Sequence, residues 1–360
     1  MTEDTLPIPW DQYYARGREK AESLGNRGPL RFDDSGNLVQ DILDAYHETG
    51  FYVFTDVLSA DETAELVGEL NALIANAPVS RDNPVDRDGK PSKFAEYFSI
   101  SEDEPGIVSL VSHTIMLSDA ALRTYAHPKI LRMAASINGP DFIPFHEAIH
   151  YKASHNGLPT RWHQDGRTHW TEDGAALERP DGSGKTHGFN LSVACSPCTP
   201  ENCLWVIPGS QHQWRLARGG KFPPITEQIG AAVPVLMEPG DCVIVNRSSL
   251  HGSYPNRTPN HRMTLLLGYH KRDSAIGTST TNVHAFVRPG GPEPVTYSKA
   301  DVLKRARMIP LAIDARRQHY PDETPFEYAG EYTGDATWNE AARAEITAEG
   351  NEYWRGDITL

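Results

Sequence analysis

The chain has 360 residues, 39% of them apolar and 23% charged, with a formal net charge of −14. That length can bury a large core in one elaborated domain or two. The acidic balance without a basic patch argues against a nucleic-acid binder, and no apolar stretch is long enough to span a bilayer.

Met1-Thr2-Glu3-Asp4 is acidic and polar with no apolar h-region, so no secretory signal is expected. Four cysteines in this length do not make a disulfide scaffold, and a reducing cytoplasm is the expected setting.

Residues 1–36 are rich in Pro, Gly and charge, and they read as an irregular arm lying on the core. Residues 37–141 read as a mostly helical support. Val39, Ile42, Leu43 and Tyr46 recur at helical spacing, with Gly50 as a stop and Phe51-Tyr52-Val53-Phe54 as a short strand. Ser59-Ala60-Asp61-Glu62 is a helix start, and Leu66, Leu70 and Leu73 give that helix one apolar face. Residues 79–105 read as loop and 106–137 as helical, with a break at Pro128.

From Phe142 the texture changes, and residues 142–283 form the expected β core. Short β-rich runs alternate with turn residues: Ile149–Lys152, Phe189–Ala194, Leu204–Ile207, Val233–Leu236, Cys242–Asn246 and Met263–Tyr269. Such spacing predicts a sandwich or barrel. Residues 171–188 read as a surface insertion. Residues 284–360 read as a C-terminal elaboration of the same catalytic domain, amphipathic near Asp301–Met308.

Trp162-His163-Gln164-Asp165 carries the chemistry. Residues i and i+2 of a strand point to one side, so His163 and Asp165 can face the same interior. Far downstream, Gly240-Asp241 opens an apolar run ending at His251-Gly252-Ser253, and Arg262 follows. Two imidazoles and one carboxylate can cap one face of a metal ion and leave the other open, the facial triad of non-haem Fe(II) sites. Arg262 sits at the head of an apolar strand, Met263-Thr264-Leu265-Leu266-Leu267, where an unpaired cation is costly, so an anionic partner is expected.

These segments resemble the phytanoyl-CoA dioxygenase family of Fe(II)/2-oxoglutarate oxygenases. The resemblance runs through Gly50–Phe54, Trp162–Asp165, Glu201–His212 and Gly240–Arg262, in order, over roughly residues 40–270. It implies a mainly β fold with flanking helices around a double-stranded β-helix, the cupin-like jelly roll. It also implies His163, Asp165 and His251 as iron ligands and catalytic centre, and Arg262 as the partner of the distal carboxylate of 2-oxoglutarate. Ser253 and Thr264 would add hydrogen bonds. Lys152 matches a basic position of the family, and His150 and Ala148 share its strand face.

The implied reaction uses O2 and 2-oxoglutarate to oxidise a small-molecule C–H bond, most simply by hydroxylation, with succinate and CO2 released. Desaturation, epimerisation and ring formation use the same chemistry. Asp165 argues against halogenation, where a small residue replaces the carboxylate. Arg167, His169 and Trp170 follow the metal pair and are candidate substrate contacts. Lys152, Arg161, Arg167 and Lys185 point to a polar or acidic substrate.

Two rivals are a zinc or manganese hydrolase or isomerase on the same ligands, and a non-catalytic jelly-roll binding module. Cys195-x-x-Cys198 with Cys203 lacks the second pair that a zinc set needs, so these are expected to be small buried residues. Oligomeric state is not encoded in any of these features.

Overall fold

The computed structural model describes residues 7–80, 84–92, 95–100, 107–165, 169–180, 186–215, 221–280, 295–332 and 334–348. The expected irregular arm contains helix α1 (Trp10–Ser23) and strand β1 (Arg27–Pro29), so it is partly regular. Helix α1 carries no apolar stripe because Tyr13 and Gly17 are its buried residues. Tyr13 stacks on Trp205 with 4.9 Å between ring centroids, and a side chain at Gly17 would collide with the same indole.

Helix α2 (Gln40–Thr49) buries Ile42 and Tyr46 and ends at Gly50, which is left-handed with φ 82°. Strand β2 (Phe51–Thr55) follows, and α3 (Ala60–Ala75) starts with a reciprocal Ser59–Glu62 capping box. Next come β3 (Phe98–Ile100), β4 (Val108–Ser112), α4 (Thr114–Leu117), α5 (Asp119–Tyr125) and α6 (Pro128–Asn138). The helix predicted over 106–137 therefore opens as a strand. Residues 108–112 pair with a later strand, and five residues are too few for a period to announce that.

The β-rich half comprises β5 (Phe142–Lys152), β6 (Thr160–His163), β7 (His169–Trp170), β8 (Gly188–Ala194) and β9 (Trp205–Val206). It continues with β10 (Val233–Pro234), β11 (Cys242–Asn246), β12 (His251–Ser253) and β13 (Arg262–Lys271). Then follow α7 (Arg272–Ala275), β14 (Ser279–Thr280), β15 (Val295–Thr296), α8 (Lys299–Ala306), α9 (Met308–His319) and α10 (Glu340–Ala348). The large sheet runs β1-β2-β11-β8-β13-β5-β4-β3, and a four-stranded sheet runs β10-β9-β12-β6. A small third sheet joins β7, β14 and β15.

Alternation assigns the two faces of the large sheet. Phe189, Leu191 and Val193 of β8, and Met263, Leu265 and Leu267 of β13, share a core with Leu66 and Leu70 of α3 and Ile130 and Leu131 of α6. The alternate residues Asn190, Ser192, Arg262, Thr264 and Leu266 line an interior cavity. A second apolar cluster joins Phe51, Val53 and Val245 of the large sheet to Trp162, Trp205 and Val233 of the smaller one. The two sheets thus close as a jelly roll with helices on one outer face. The helix-facing side carries the stabilising burial, at about 1.5–3 kcal/mol per large apolar side chain, which leaves the interior face able to hold polar groups.

The C-terminal helices are seated on this core. Buried Arg305 of α8 donates to the Phe145 carbonyl, and Arg316 of α9 pairs with Glu62 and Glu323. The four cysteines are free and buried. Among the described residues, no helix is long and apolar enough to cross a membrane.

Candidate metal centre and co-substrate cavity

Strands β6 and β12 pair antiparallel, with His251 directly opposite His163. This register brings their ring centroids to 4.2 Å. Asp165 lies just past the end of β6, where its N–H donates to the Arg247 carbonyl. One ligand atom from each of His163, Asp165 and His251 falls within 4.8 Å of the others, and all three side chains are buried. His163 Nδ1 donates to the Arg161 carbonyl at 2.6 Å and His251 Nδ1 to the Ser249 carbonyl at 2.9 Å. A carbonyl can only accept, so each ring carries its proton on Nδ1 and turns the Nε2 lone pair inward. His163 Nε2 is buried with no hydrogen-bond partner. Two imidazole nitrogens and a carboxylate oxygen on one side of a cavity fit a divalent iron ion.

Burial pushes the His251 imidazole down to about 4, and the neighbouring His163 adds to that. Burial alone would raise Asp165, but His251, Arg247 and His163 hold it well below the usual carboxylate range. His251 and Asp165 are therefore ready to ligate near neutral pH without first losing protons.

Composition and motif did not point to the groups behind Asp165. Asn190 Nδ2 donates to Asp165 Oδ2 at 2.7 Å, Arg247 Nη1 donates to Asn190 Oδ1, and Arg247 Nε donates to Glu178 Oε1. His270 Nε2 contacts the same Glu178 oxygen at 2.7 Å. Arg247, directly after the apolar run of β11, was a visible signal of a buried charge. Glu178 was not, because residues 171–188 read as surface while Glu178 is only 5% exposed.

Arg262, Thr264, His150 and Ser253 line one cavity together with His163 and His251. The β5–β13 register sets His150 opposite Thr264 and Lys152 opposite Arg262. Arg262 donates to Thr264 Oγ1 at 2.9 Å and to the Asn202 carbonyl at 3.3 Å. Among the described residues no carboxylate pairs with it, although the guanidinium is buried. Ser253 Oγ and His150 Nε2 are buried without hydrogen-bond partners. Burial, then the Arg262 charge, pushes His150 down to about 3, so its ring is neutral.

Lys152 is not part of the cavity lining, because its ammonium donates to the Leu158 and Tyr254 carbonyls at 2.7 and 2.6 Å. His169 and Trp170 sit on β7 and do not line the cavity either. His169 packs against Phe145 and Tyr297 instead. Arg161 is exposed, while Arg167 and Lys185 lie outside the described residues.

A jelly roll whose interior presents two imidazoles and a carboxylate beside a buried arginine that no described carboxylate pairs with is the architecture of a non-haem iron, 2-oxoglutarate-dependent dioxygenase. The phytanoyl-CoA dioxygenase (PhyH) family matches residues 46–264, and the chain belongs to that family. An ectoine dioxygenase from Nocardia farcinica is 23% identical over 313 residues, covering 81% of this chain and 94% of its own. A methylphosphonate hydroxylase from Gimesia maris is 27% identical over 235 residues, covering 63% and 78%. EctD from S. alaskensis, solved with 2-oxoglutarate and 5-hydroxyectoine, shares the fold. Its TM-score is 0.54 at 20% identity, over 74% of this chain and 89% of that one. The cofactors of this class are Fe(II), 2-oxoglutarate and O2.

Proposed function

We propose that this dioxygenase hydroxylates a C–H bond of a small polar molecule, with His163, Asp165 and His251 as the iron ligands. The observation that carries the reading is the convergence of three ligand atoms within 4.8 Å on a cavity that Arg262 also lines. With iron and 2-oxoglutarate held here, O2 would be the oxidant, taking two electrons from 2-oxoglutarate, which leaves as succinate and CO2, and two from the substrate C–H bond.

The chain's own residues do the rest. The carbonyls of Arg161 and Ser249 hold both imidazoles in the ligating tautomer. Arg262 offers its planar fork to the distal carboxylate of 2-oxoglutarate, with Thr264 fixing the guanidinium plane. Ser253 and neutral His150 add hydrogen bonds without adding charge. The apolar wall of Leu204, Met237, Val243, Val245 and Leu266 excludes water from the reacting atoms. Lys152 supports the cavity from behind, by tying the Tyr254 and Leu158 carbonyls to β5.

A polar substrate is favoured by the relatives that act on ectoine and methylphosphonate. Of the candidate substrate contacts Arg167 is kept, while His169 is packed against Phe145 and Tyr297 and Trp170 lies off the cavity. Lys152 is engaged and Arg161 is exposed, so the case for an acidic substrate rests on the methylphosphonate relative rather than on these cations.

The deciding experiment is an anaerobic titration of apoprotein with Fe(II) and then 2-oxoglutarate, followed by a screen of small molecules for succinate release. A visible charge-transfer band and turnover of a polar compound are expected. Fe(II) uptake without a band would refute the co-substrate assignment, and turnover of neutral apolar compounds alone would refute the substrate class.

A further inference from the structure

The two oxygens of Asp165 have different surroundings. Oδ1 faces the imidazoles, 3.3 Å from His163 Nε2 and 3.9 Å from His251 Nε2. Oδ2 accepts from the Asn190 amide at 2.7 Å. Asn190 lies between a carboxylate that can only accept and a guanidinium that can only donate, so one amide orientation satisfies both.

Arg247 is 1% exposed and sits between two carboxylates. Its Nε donates to Glu178 at 2.9 Å, while its Nη1 stops 4.0 Å short of Asp165 Oδ2. Its Nη2 is buried with no hydrogen-bond partner. In surroundings this dry, a guanidinium with one carboxylate in reach closes on it, because an unpaired buried charge is costly. A closed Arg247–Asp165 pair would compete with a metal for that carboxylate. Glu178 offers the alternative, and is itself held by His270 at 2.7 Å and by Ser248, whose hydroxyl donates to the Glu178 carbonyl.

We propose that Glu178 is the counter-ion that holds Arg247 off Asp165, so that Oδ1 stays turned toward the metal position while Asn190 steadies Oδ2. The segment read as a surface insertion thereby contributes a positioning residue to the metal centre. This inference rests on His163, Asp165 and His251 being the iron ligands.

The test is an anaerobic Fe(II) titration of the full-length protein, with melting temperatures taken alongside, for wild type, Glu178→Gln and Glu178→Gln/Arg247→Gln. Glu178→Gln is expected to weaken Fe(II) binding by roughly 10–100-fold, the effect usual for groups that orient metal ligands. The double variant, having lost the stranded cation, recovers most of that affinity. A merely structural role gives the opposite, because a second buried lesion adds to the first. Glu178→Gln within about threefold of wild type, or a double variant no tighter than the single, overturns the proposal. Should the single variant fail to fold, the double decides alone: Fe(II) affinity within about tenfold of wild type upholds the inference, and weaker binding overturns it. Wild-type protein that takes up no Fe(II) would instead overturn the iron-ligand reading beneath it.

Discussion

Replacing Arg262 with Gln should separate iron binding from co-substrate binding. The guanidinium is buried, and its Nε and Nη1 already donate to the Asn202 carbonyl and Thr264 Oγ1. It is thus oriented before any ligand arrives, and little rotamer freedom remains to be lost. A bidentate pair with a carboxylate makes two charge-assisted hydrogen bonds, each contributing about 1.5–2 kcal/mol in a buried site. Their loss, about 3–4 kcal/mol, corresponds to a rise of roughly 150–800-fold in the dissociation constant for 2-oxoglutarate. Arg262 is not a metal ligand, so Fe(II) affinity should stay near wild type. The apoprotein should melt no lower, since the substitution removes a buried cation that no described carboxylate pairs with. The assay is the charge-transfer band titrated with 2-oxoglutarate on the Fe(II)-loaded protein. A dissociation constant raised less than about fivefold, or Fe(II) affinity lost in parallel, would refute the clamp.

Three further outcomes follow from the same geometry. Gly50→Ala places a Cβ against Ser249 Oγ and the Gln211 amide at φ 82°, which should cost about 1–3 kcal/mol and lower the melting temperature by several degrees; a shift under about one degree would contradict the packing. Burial, with Arg316 and Arg262 charges respectively, pushes His127 and His150 down to about 3, and burial pushes His270 down to about 4, from an ordinary 6.5. Each is neutral when folded and takes a proton when unfolded, so metal-free stability should be level above about pH 7 and fall steadily from about 6.5 toward 4. A melting temperature that holds flat through that range would contradict it. Burial likewise pushes the Cys195 thiol up to about 12 and Cys198 to about 11, so the native protein should consume no thiol reagent near pH 8, and denatured protein four equivalents. Rapid labelling of the native state would show an exposed thiol.

Local chemistry made part of this protein legible. Gly50 stops α2 because only a residue without a Cβ takes that left-handed position beside Ser249 and Gln211, and Ser59–Glu62 caps α3 by local hydrogen bonds. The i, i+2 spacing of His163 and Asp165 let both reach one interior. Helix α1 escaped because its packing rests on one tyrosine and one glycine, which leave no apolar period to read. Residues 108–112 escaped because five residues fit helix or strand equally, until β5 supplies a partner.

The sequence by itself determined which residue types could ligate a metal and that an arginine would have to be buried beside them. It could not determine which distant backbone would pair with which. Only the β6–β12 register set His251 against His163, and only the closed jelly roll drove Glu178, Arg247 and Asn190 behind Asp165. Ligand identity is written in single residues. The charge balance that keeps a ligand available depends on contacts between residues far apart in the chain, and those exist only once apolar burial has closed the two sheets.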